Sequence, residues 1–303
     1  MTSYDRLISS IGNTPLTKLR TGTSSTDNLR VFAKCEFLNP TGSSKARPAR
    51  QMILDALAKE TSFHGKRFLD SGSGGTAEAE AMVAARLKCK LDVVMSAATP
   101  PSKIAAVTAY GANIIFSDPS GGSEGAHKKA AELARSQPGY IYLNQYANDS
   151  NWKAHIQTGD EIFEQTEGRV THVYVGLGTG GTATGIGRGL KAKVPGVKII
   201  GIMPEGYEHK LYGLKYITRE NKPAILDMSL IDHIVLIPDE EAMHGMTVLA
   251  RHEGLYVGPS SGAVFAAWQR ERRLVNEGVI ALIMHDDARK YPGLIGCSLQ
   301  NVA

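Results

Sequence analysis

The chain has few cysteines and no long apolar run, and both shortages exclude classes of protein. Only three cysteines, Cys35, Cys89 and Cys297, occur in 303 residues. None belongs to a CxxC pair, so neither a disulfide framework nor a structural zinc site is predicted. No apolar run approaches the ~20 residues that a membrane helix needs, and residues 1–6 lack the basic-then-apolar order of a signal peptide. We therefore expect a cytoplasmic protein without a membrane partner.

A strong charge of either sign is also absent. The formal net charge is +4 at pH 7, which slightly favours small anionic molecules and gives no support to nucleic-acid binding. The nine histidines show no metal-ligand spacing, so no metal site is expected, and His155 is expected to orient a loop rather than to catalyse. The remaining composition, 42% hydrophobic and 21% charged, is typical of a globular enzyme with one large or two coupled domains.

Apolar runs of strand length alternate with helical patterns along the whole chain. Strands are predicted at residues 31–37, 67–69, 91–95, 113–116, 140–143, 170–175, 197–202, 233–237 and 279–284. Helices are predicted at residues 46–57, 77–87, 103–110, 123–136, 160–166 and from the second glycine loop to about residue 192. Several strands are continuous apolar runs, which suits strands covered on both faces. The alternation predicts an α/β fold with parallel sheets and right-handed crossovers.

Two glycine-rich loops follow predicted strands, at residues 71–76 and 176–182. Ligands gather at the carboxyl ends of parallel strands, and the backbone N–H groups of such loops can wrap a phosphate or a carboxylate. The second loop is not a Walker loop, because no Lys-Ser or Lys-Thr follows its glycines. A dinucleotide fingerprint would need an acidic residue after the next strand, where Gly201-Ile202-Met203 stands instead. Two such loops suggest two sheets that face one cleft.

Lys45 ends the turn-rich stretch Asn39-Pro40-Thr41-Gly42-Ser43-Ser44-Lys45, which can present an amine without crowding it. An amine that can form a Schiff base, combined with a phosphate cradle, is what pyridoxal phosphate requires of a protein. The two features together therefore predict a pyridoxal-phosphate enzyme.

Four motifs, taken in order, carry a resemblance to a known family. They are Ile11-Gly12-Asn13-Thr14-Pro15-Leu16, Asn39-Pro40-x-Gly42-Ser43-x-Lys45-x-Arg47, Gly176-x-Gly178-Thr179-Gly180-Gly181-Thr182-x-Thr184-Gly185 and Ser260-Ser261-Gly262-Ala263. Over nearly its whole length the chain resembles the cysteine synthase and cystathionine β-synthase group of fold-type II pyridoxal-phosphate enzymes. The chain length and the segments Gly213-Leu214-Lys215 and Pro223-Ala224-Ile225-Leu226-Asp227 look more like the B-type or O-phosphoserine-using cysteine synthases than the A type.

The resemblance implies two three-layer αβα domains with mostly parallel twisted sheets, and pyridoxal 5'-phosphate in the cleft between them. The smaller, N-terminal domain would comprise residues 1–15 and 39–148, with the lysine and the substrate-carboxylate loop. The larger, C-terminal domain would comprise residues 16–38 and 149–303, with the phosphate loop. A homodimer is also implied.

The resemblance also implies roles for individual residues. Lys45 would bind the aldehyde carbon of the cofactor as a Schiff base and then remove the α-proton of the substrate. Ser260 would donate its hydroxyl proton to the pyridine nitrogen, which would make the ring a weaker electron sink than one that faces a carboxylate. Lys215 could meet a substrate phosphate or a second carboxylate. The phosphate ligands would be Gly178, Thr179, Gly180, Gly181 and Thr182, and the loop residues that bind the substrate carboxylate would be Ser73, Gly74 and Thr76, with Gln145.

The chain departs from the family pattern at the first glycine loop. Aligned without gaps, Gly75 takes the place of an asparagine that contacts the cofactor's 3' oxygen and the region of the substrate carboxylate. Ala46 replaces the usual acidic residue after the lysine. Glu78 and Glu80 occur on a helix that is normally apolar. If Glu80 faces the core it needs a partner, and the alternative is a helix that is more exposed in this protein.

The implied reaction is a β-replacement on an amino acid. An activated serine, O-acetyl or O-phospho, would lose its β-group and accept sulfide, giving a cysteine synthase and hence a transferase of amino-acid biosynthesis. Three alternatives stay open at this point: an amine nucleophile that gives a diaminopropionate-type product, a β-elimination lyase or desulfhydrase that releases pyruvate and ammonia, and a regulatory homologue that has lost turnover.

Overall fold

The computed structural model describes residues 5–21, 28–60, 62–72, 74–292 and 294. The chain divides into two compact units. Unit one comprises the described residues within Met1–Ile11 and Lys45–Asn151, and unit two those within Gly12–Ser44 and Trp152–Ala303. Among the described residues, no helix is both long and apolar enough to cross a membrane.

The strands of the described residues follow the predicted strand positions closely. They are β1 Leu16–Lys18, β2 Asn28–Cys35, β3 Arg67–Ser71, β4 Leu91–Ser96, β5 Asn113–Ser117, β6 Tyr140–Tyr142, β7 His172–Gly176, β8 Lys198–Pro204, β9 His233–Ile237 and β10 Glu277–Met284. Every predicted strand overlaps one of these, and only the short β1 was not predicted.

The helices agree with the predictions in the first two thirds of the chain. They are α1 Arg6–Ser9, α2 Ala46–Lys59, α3 Gly75–Arg86, α4 Pro101–Thr108, α5 Gly122–Ser136, α6 Asp149–Ala154, α7 Ile156–Gln165, α8 Gly181–Lys191, α9 Asp239–Glu253 and α10 Pro259–Glu271. The sequence analysis missed the short α1 and α6 and the two long helices α9 and α10.

Unit one is built on a four-stranded sheet in the order β5-β4-β3-β6, and every pair is parallel. All six residues of β4 are buried, as expected of a strand covered on both faces. Side chains alternate between two apolar clusters, because successive residues of a strand point to opposite faces. Phe68 and Val93 pack in a cluster with Ala49 and other residues of α2 and α3, whereas Leu69 and Val94 pack with Ala126 and Ala130 of α5.

Unit two is built on a six-stranded sheet in the order β1-β2-β10-β7-β8-β9. Only the edge pair β1–β2 is antiparallel among the pairs of the described residues. Ile280 and Leu282 of β10 pack in a cluster with α9 and α10, whereas Ala281 and Ile283 pack with α7 and α8. Each unit therefore has helices on both faces of its sheet, and the predicted α/β class with parallel sheets is confirmed.

The division into units differs from the predicted domains most at the lysine motif, and by a few residues at 12–15 and 149–151. Residues 39–44 were predicted in the N-terminal domain and belong to unit two. Hydrogen bonds explain this: the Ser44 N–H donates to the His285 carbonyl oxygen (2.8 Å), and the Asp287 N–H donates to the Gly42 carbonyl oxygen (3.0 Å). Ser43 also forms an antiparallel bridge with Asp286. The boundary therefore falls between Ser44 and Lys45.

Candidate active site

Three of the four sequence motifs meet at one turn of unit two, directly after β10. The His285 carbonyl oxygen accepts the Ser44 N–H at 2.8 Å, and the His285 Nε2 accepts the Gly176 N–H at 3.0 Å. The His285 N–H in turn donates to the Ser261 Oγ at 2.8 Å. This turn therefore joins the end of the lysine motif, the start of the glycine loop and the serine motif. Sequence reasoning missed His285, although polar residues directly after an apolar strand are a known signal of ligand sites.

The His285 ring is fixed in one tautomer by these contacts. Its Nε2 accepts a hydrogen bond and so carries no proton, which leaves the ring proton on Nδ1. Nδ1 lies 3.4 Å from the Ser44 Oγ. A Cβ atom on Gly176 would lie 2.5 Å from the end of the Leu214 side chain and 3.0 Å from the His285 Nε2, so a larger residue there would have to displace Leu214 and press on this ring. The imidazole is a neutral group that holds two loops together.

The glycine loop has the form of an anion site. It begins after β7 and leads into α8, whose N-cap is Gly180 in the left-handed conformation (φ +83°) without a side-chain capping bond. The first N–H groups of a helix have no partner within the helix, and its dipole favours negative charge there. The Thr179 Oγ1 lies 3.4 Å from the Gly181 N–H. These groups fit a phosphate, as the sequence analysis expects of Gly178–Thr182.

Close packing explains the glycines of this loop. A Cβ on Gly178 would overlap the carbonyl oxygen of Gly213, and a Cβ on Gly180 would lie 2.5 Å from the Cβ of Leu226. Real Cβ atoms do not approach other atoms so closely, so each substitution must move the loop. The loop forms a cradle that is packed tightly against its neighbours.

Lys215 lies beside this cradle through its backbone. Its N–H donates to the carbonyl oxygen of Leu177 at 2.8 Å, directly before Gly178. Its ammonium group donates to the carbonyl oxygen of Asn221 at 3.2 Å. The predicted contact of Lys215 with a substrate anion stays a prediction.

The Thr182 hydroxyl is held by a buried histidine. The Thr182 Oγ1 lies 3.2 Å from the His155 Nε2, and the His155 Nδ1 lies 3.1 Å from the Thr158 Oγ1. Gly185 permits this approach, because a Cβ there would lie 2.6 Å from the Cβ of His155. His155 therefore orients a side chain of the glycine loop.

Ser260 lies in the first turn of α10. It follows the N-cap residue Gly258 and Pro259, the first residue of the helix. Proline is favoured at this position because its missing N–H would have no helical partner. Ser260 is 2% exposed, and its Oγ donates to the Oδ1 of Asp286 at 3.4 Å. The sequence analysis did not identify Asp286.

Lys45 follows Ser44 and is the N-cap residue of α2. The lysine is half-buried, and its carbonyl oxygen accepts the Ala49 N–H at 3.1 Å. Ala46 is fully buried, so an acidic side chain at this position would be buried without water, which is costly unless it is paired. The alanine is thus compatible with its surroundings, although the family has an acid there.

The first glycine loop lies in unit one, between β3 and α3. The Thr76 Oγ1 donates to the Gln145 Oε1 at 2.8 Å, and the Gln145 Nε2 donates to the Ser71 carbonyl oxygen at 2.8 Å. Gln145 and Thr76 therefore lie together, and the Gln145 amide also holds the start of the loop. A Cβ on Gly74 would have no atom within 4 Å. Ser73 lies outside the described residues.

Glu80 is fully buried on α3, directly beside the fully buried Asp70 at the end of β3. The Asp70 carboxylate accepts the Ser71 N–H (2.8 Å) and the Gln145 N–H (3.3 Å). Burial raises the pKa of Asp70 to about 6. Burial, and then the charge of Asp70, raise the pKa of Glu80 well above its usual value. Both Glu80 carboxyl oxygens are buried without a hydrogen-bond partner among the described residues, which suits a carboxyl that keeps its proton. The alternative of an exposed helix is wrong at this position.

Together these observations indicate a class of protein. Parallel α/β sheets, a helix N-terminus that fits an anion, and a lysine that follows a turn in the sequence are together typical of enzymes that bind a phosphorylated cofactor. Among the described residues, no group of three His, Cys, Asp or Glu side chains could hold a metal ion.

Comparisons with known proteins identify the family. The family model described as "Pyridoxal-phosphate dependent enzyme" matches residues 7–286. A cysteine synthase from Aquifex aeolicus is 38% identical over 95% of this chain and 90% of its own length, and a cysteine synthase B from Pseudomonas aeruginosa is 37% identical over 95% and 96%. A hydrogen sulfide-producing enzyme from Fusobacterium nucleatum has a similar structure, with a TM-score of 0.87 and 31% identity over 95% of this chain and 99% of its own.

The chain therefore belongs to the family of pyridoxal-phosphate dependent enzymes, within the group of cysteine synthases and cystathionine β-synthases. Its cofactor is pyridoxal 5'-phosphate, as the sequence analysis expected. The cradle of Gly178 and Gly180 and the open end of α8 fit the phosphate of this group. The resemblance on which the sequence analysis relied is confirmed.

Proposed function

We propose that the protein catalyses a β-replacement on an activated serine, O-acetyl- or O-phosphoserine, with sulfide as the nucleophile. It would thus be a cysteine-forming transferase. The observation that carries the proposal is the turn at His285, to which the segments before Lys45, before Gly178 and around Ser260 are all hydrogen-bonded. Similarity to cysteine synthases supports the reaction type.

The chain supplies groups for each part of this reaction. When bound, the cofactor supplies an electron sink for charge that develops at the substrate's Cα. Lys45 would hold the aldehyde carbon, take the α-proton and return it at the end. The N–H groups at the start of α8 would bind the phosphate, with the Thr182 hydroxyl oriented by His155. Ser260 would contact the ring nitrogen.

The substrate carboxylate would bind at the start of α3. Gly74, Thr76 and Gln145 lie at this helix end, where N–H groups and the helix dipole favour an anion. Ser73 is proposed as a further ligand by resemblance alone. Lys215 is proposed to favour a phosphorylated donor.

The test is product formation by the purified protein loaded with cofactor. With sulfide and either O-acetylserine or O-phosphoserine, we expect free cysteine, and Lys45→Ala should abolish it. Lys215→Ala should lower turnover of O-phosphoserine more than turnover of O-acetylserine. If a protein that holds the cofactor forms no cysteine from either donor, the proposed reaction is wrong.

A second candidate is β-elimination, in which water captures the intermediate and pyruvate and ammonia are released. The absent side chain at Gly75 favours it, since a loop with fewer contacts would exclude water less well. The similarity to an enzyme whose description says that it produces hydrogen sulfide also supports it. Pyruvate that forms equally fast with and without sulfide would favour elimination. Incorporation of an amine instead of sulfide would indicate a diaminopropionate-type synthase, and failure to exchange the α-proton of any amino acid would indicate a regulatory homologue.

A homodimer in the cytoplasm is proposed from family resemblance alone. Light scattering of the purified protein would test the oligomeric state, and a mass of one chain would contradict the dimer.

A further inference from the structure

The buried carboxyls Asp70 and Glu80 have no part in the proposed reaction. Both residues are 0% exposed, and no hydrogen bond from the described residues reaches either carboxyl oxygen of Glu80. Among the described residues, no cation lowers the pKa of either carboxyl. A buried charge without a partner is costly, so the interior of unit one tolerates one negative charge on this pair far better than two.

Asp70 connects the pair to the loop that is proposed to bind the substrate carboxylate. Its Oδ1 accepts the Ser71 N–H at 2.8 Å, and its Oδ2 accepts the Gln145 N–H at 3.3 Å. The Gln145 side chain then spans the loop, because its Nε2 donates to the Ser71 carbonyl oxygen and its Oε1 accepts the Thr76 hydroxyl proton, each at 2.8 Å. One carboxylate therefore holds both backbone segments that position Gln145 and Thr76.

Other ionisable groups face the pair from the elements packed against it. Burial, and then the charge of Asp70, raise the pKa of Tyr142 and raise that of Tyr146 to about 12, so both phenols are neutral near pH 7. His127 of α5 lies 3.1 Å from the Tyr142 hydroxyl. The charged residues of α2, α4 and β4, which pack on α3, contribute to the pKa of neither carboxyl. They are Arg47, Arg50, Asp55, Lys59, Lys103 and Asp92.

We propose that Glu80 is a positioning residue that, while it carries the proton of the pair, keeps the loop in the form that binds the substrate carboxylate. When Glu80 loses this proton, two buried negative charges lie side by side and repel each other. Asp70 then has to shift, and the N–H groups of Ser71 and Gln145 lose their acceptor. The second charge also repels the carboxylate of the substrate. This inference rests on the proposed function, in which Thr76 and Gln145 bind that carboxylate.

The sign of the pH dependence follows from which form of Glu80 allows binding. The protonated form allows it, so substrate binding and proton binding strengthen each other. Affinity is constant while the free protein keeps the proton on Glu80, and it falls by up to about tenfold for each further pH unit. Because burial and the charge of Asp70 raise the pKa of Glu80 well above its usual value, the loss occurs as the pH rises.

The test measures the binding of L-serine, an amino acid with a poor leaving group, to the protein loaded with cofactor. The visible absorption of the cofactor follows binding from about pH 6 to about pH 9 in the wild type, Glu80→Gln and Glu78→Gln. We expect the ratio of the wild-type Kd to the Glu80→Gln Kd to rise at least about tenfold over this range. The ratio removes the titration of the substrate amine, of Lys45 and of His127, which both proteins share.

Glu78→Gln is the matched control on the same helix, and its Kd should follow that of the wild type at every pH. Glu80→Met, which also lacks the charge, replaces Glu80→Gln if that variant does not fold. Hydrogen exchange of the Gln145 amide, corrected for its intrinsic pH dependence, gives a second readout without substrate. Its protection in the wild type should fall with pH relative to Glu80→Gln.

A Kd ratio that stays constant over the pH range overturns the inference, as does a Gln145 protection that changes equally in the two proteins. If L-serine changes the absorption of no variant at any pH, the proposed function is wrong. In that case the exchange of the Gln145 amide still decides whether the proton on Glu80 holds the loop in place.

Discussion

Both glycine-rich loops connect a strand to a helix, but the surroundings of their glycines differ. In unit two, a Cβ on Gly178 would overlap a backbone oxygen, and a Cβ on Gly180 would press on Leu226. In unit one, a Cβ on Gly74 would meet nothing within 4 Å, and one on Gly72 would lie 3.1 Å from the Gln145 Nε2. Packing requires glycine at positions 178 and 180, whereas the space around Gly74 would admit a side chain.

The comparison shows that glycine content alone does not measure how a loop is constrained. In unit two the loop is fixed by its neighbours, so a larger residue at these glycines must move it. In unit one the start of α3 has room for a side chain, and the family asparagine at position 75 is missing. The unit-one loop is therefore the less constrained of the two.

The largest expected effect is that of Gly178→Ala. The added methyl group must displace the loop, and such overpacking costs about 1–3 kcal/mol. If this cost falls on the cofactor site, pyridoxal phosphate should bind about 5- to 150-fold more weakly, as measured by titration of the apo-protein.

Gly74→Ala is the matched control, with the same change in the open loop. It should alter cofactor affinity by less than about twofold. Equal losses in the two variants would contradict the contrast between the loops.

A second effect concerns the carboxyl pair under the unit-one loop. A carboxyl whose pKa is raised in the folded state stabilises most below its unfolded pKa, and this stability is lost as pH rises through the folded pKa. For Asp70 that window runs from 3.8 to about 6, and for Glu80 it extends upward from 4.5. Relative to Glu80→Gln, the wild type should therefore lose unfolding free energy as the pH rises from 5 to 8.

Urea unfolding of both proteins at several pH values measures this difference. Glu78→Gln, on the same helix but half-exposed, should show no such trend relative to the wild type. A constant difference between wild type and Glu80→Gln across the range would show that the buried pair does not titrate.

The smallest expected effect is that of Gly75→Asn, which restores the family side chain. One additional hydrogen bond contributes about 1 kcal/mol, so the KM for the activated serine should fall about fivefold. Steady-state kinetics with both donors measures it. If elimination rather than replacement is the wild-type reaction, the ratio of pyruvate to cysteine should fall as well. An unchanged KM and an unchanged ratio would show that Gly75 does not determine substrate specificity.

Much of the fold could be predicted from local sequence. Buried parallel strands are apolar runs, and the loops that follow them are rich in glycine, so β3, β7 and their loops were located correctly. The long helices α9 and α10 were missed because glycines interrupt their pattern. A Cβ on Gly245 would overlap the Gly262 backbone, so these glycines serve helix packing. The three acids that begin α9 and Gly254 at its end are signals that could have located it.

The site could be predicted only in part. Lys45, the glycine loop and Ser260 are recognisable because each lies in a short motif. His285 and Asp286 depend on contacts with residues 44, 176 and 260, which become neighbours only when β10 takes its central place in the sheet. The burial of Glu80 likewise depends on packing, and for that reason the sequence left two alternatives open.

The most direct test of the account is to locate the residue that carries the cofactor. Purified protein is incubated with pyridoxal phosphate, reduced with borohydride, digested and analysed by mass spectrometry, with Lys45→Ala and Lys215→Ala in parallel. The account predicts a pyridoxyl adduct on Lys45 in the wild type and in Lys215→Ala, and none at residue 45 in Lys45→Ala. An unmodified Lys45 in the reduced wild type would contradict it.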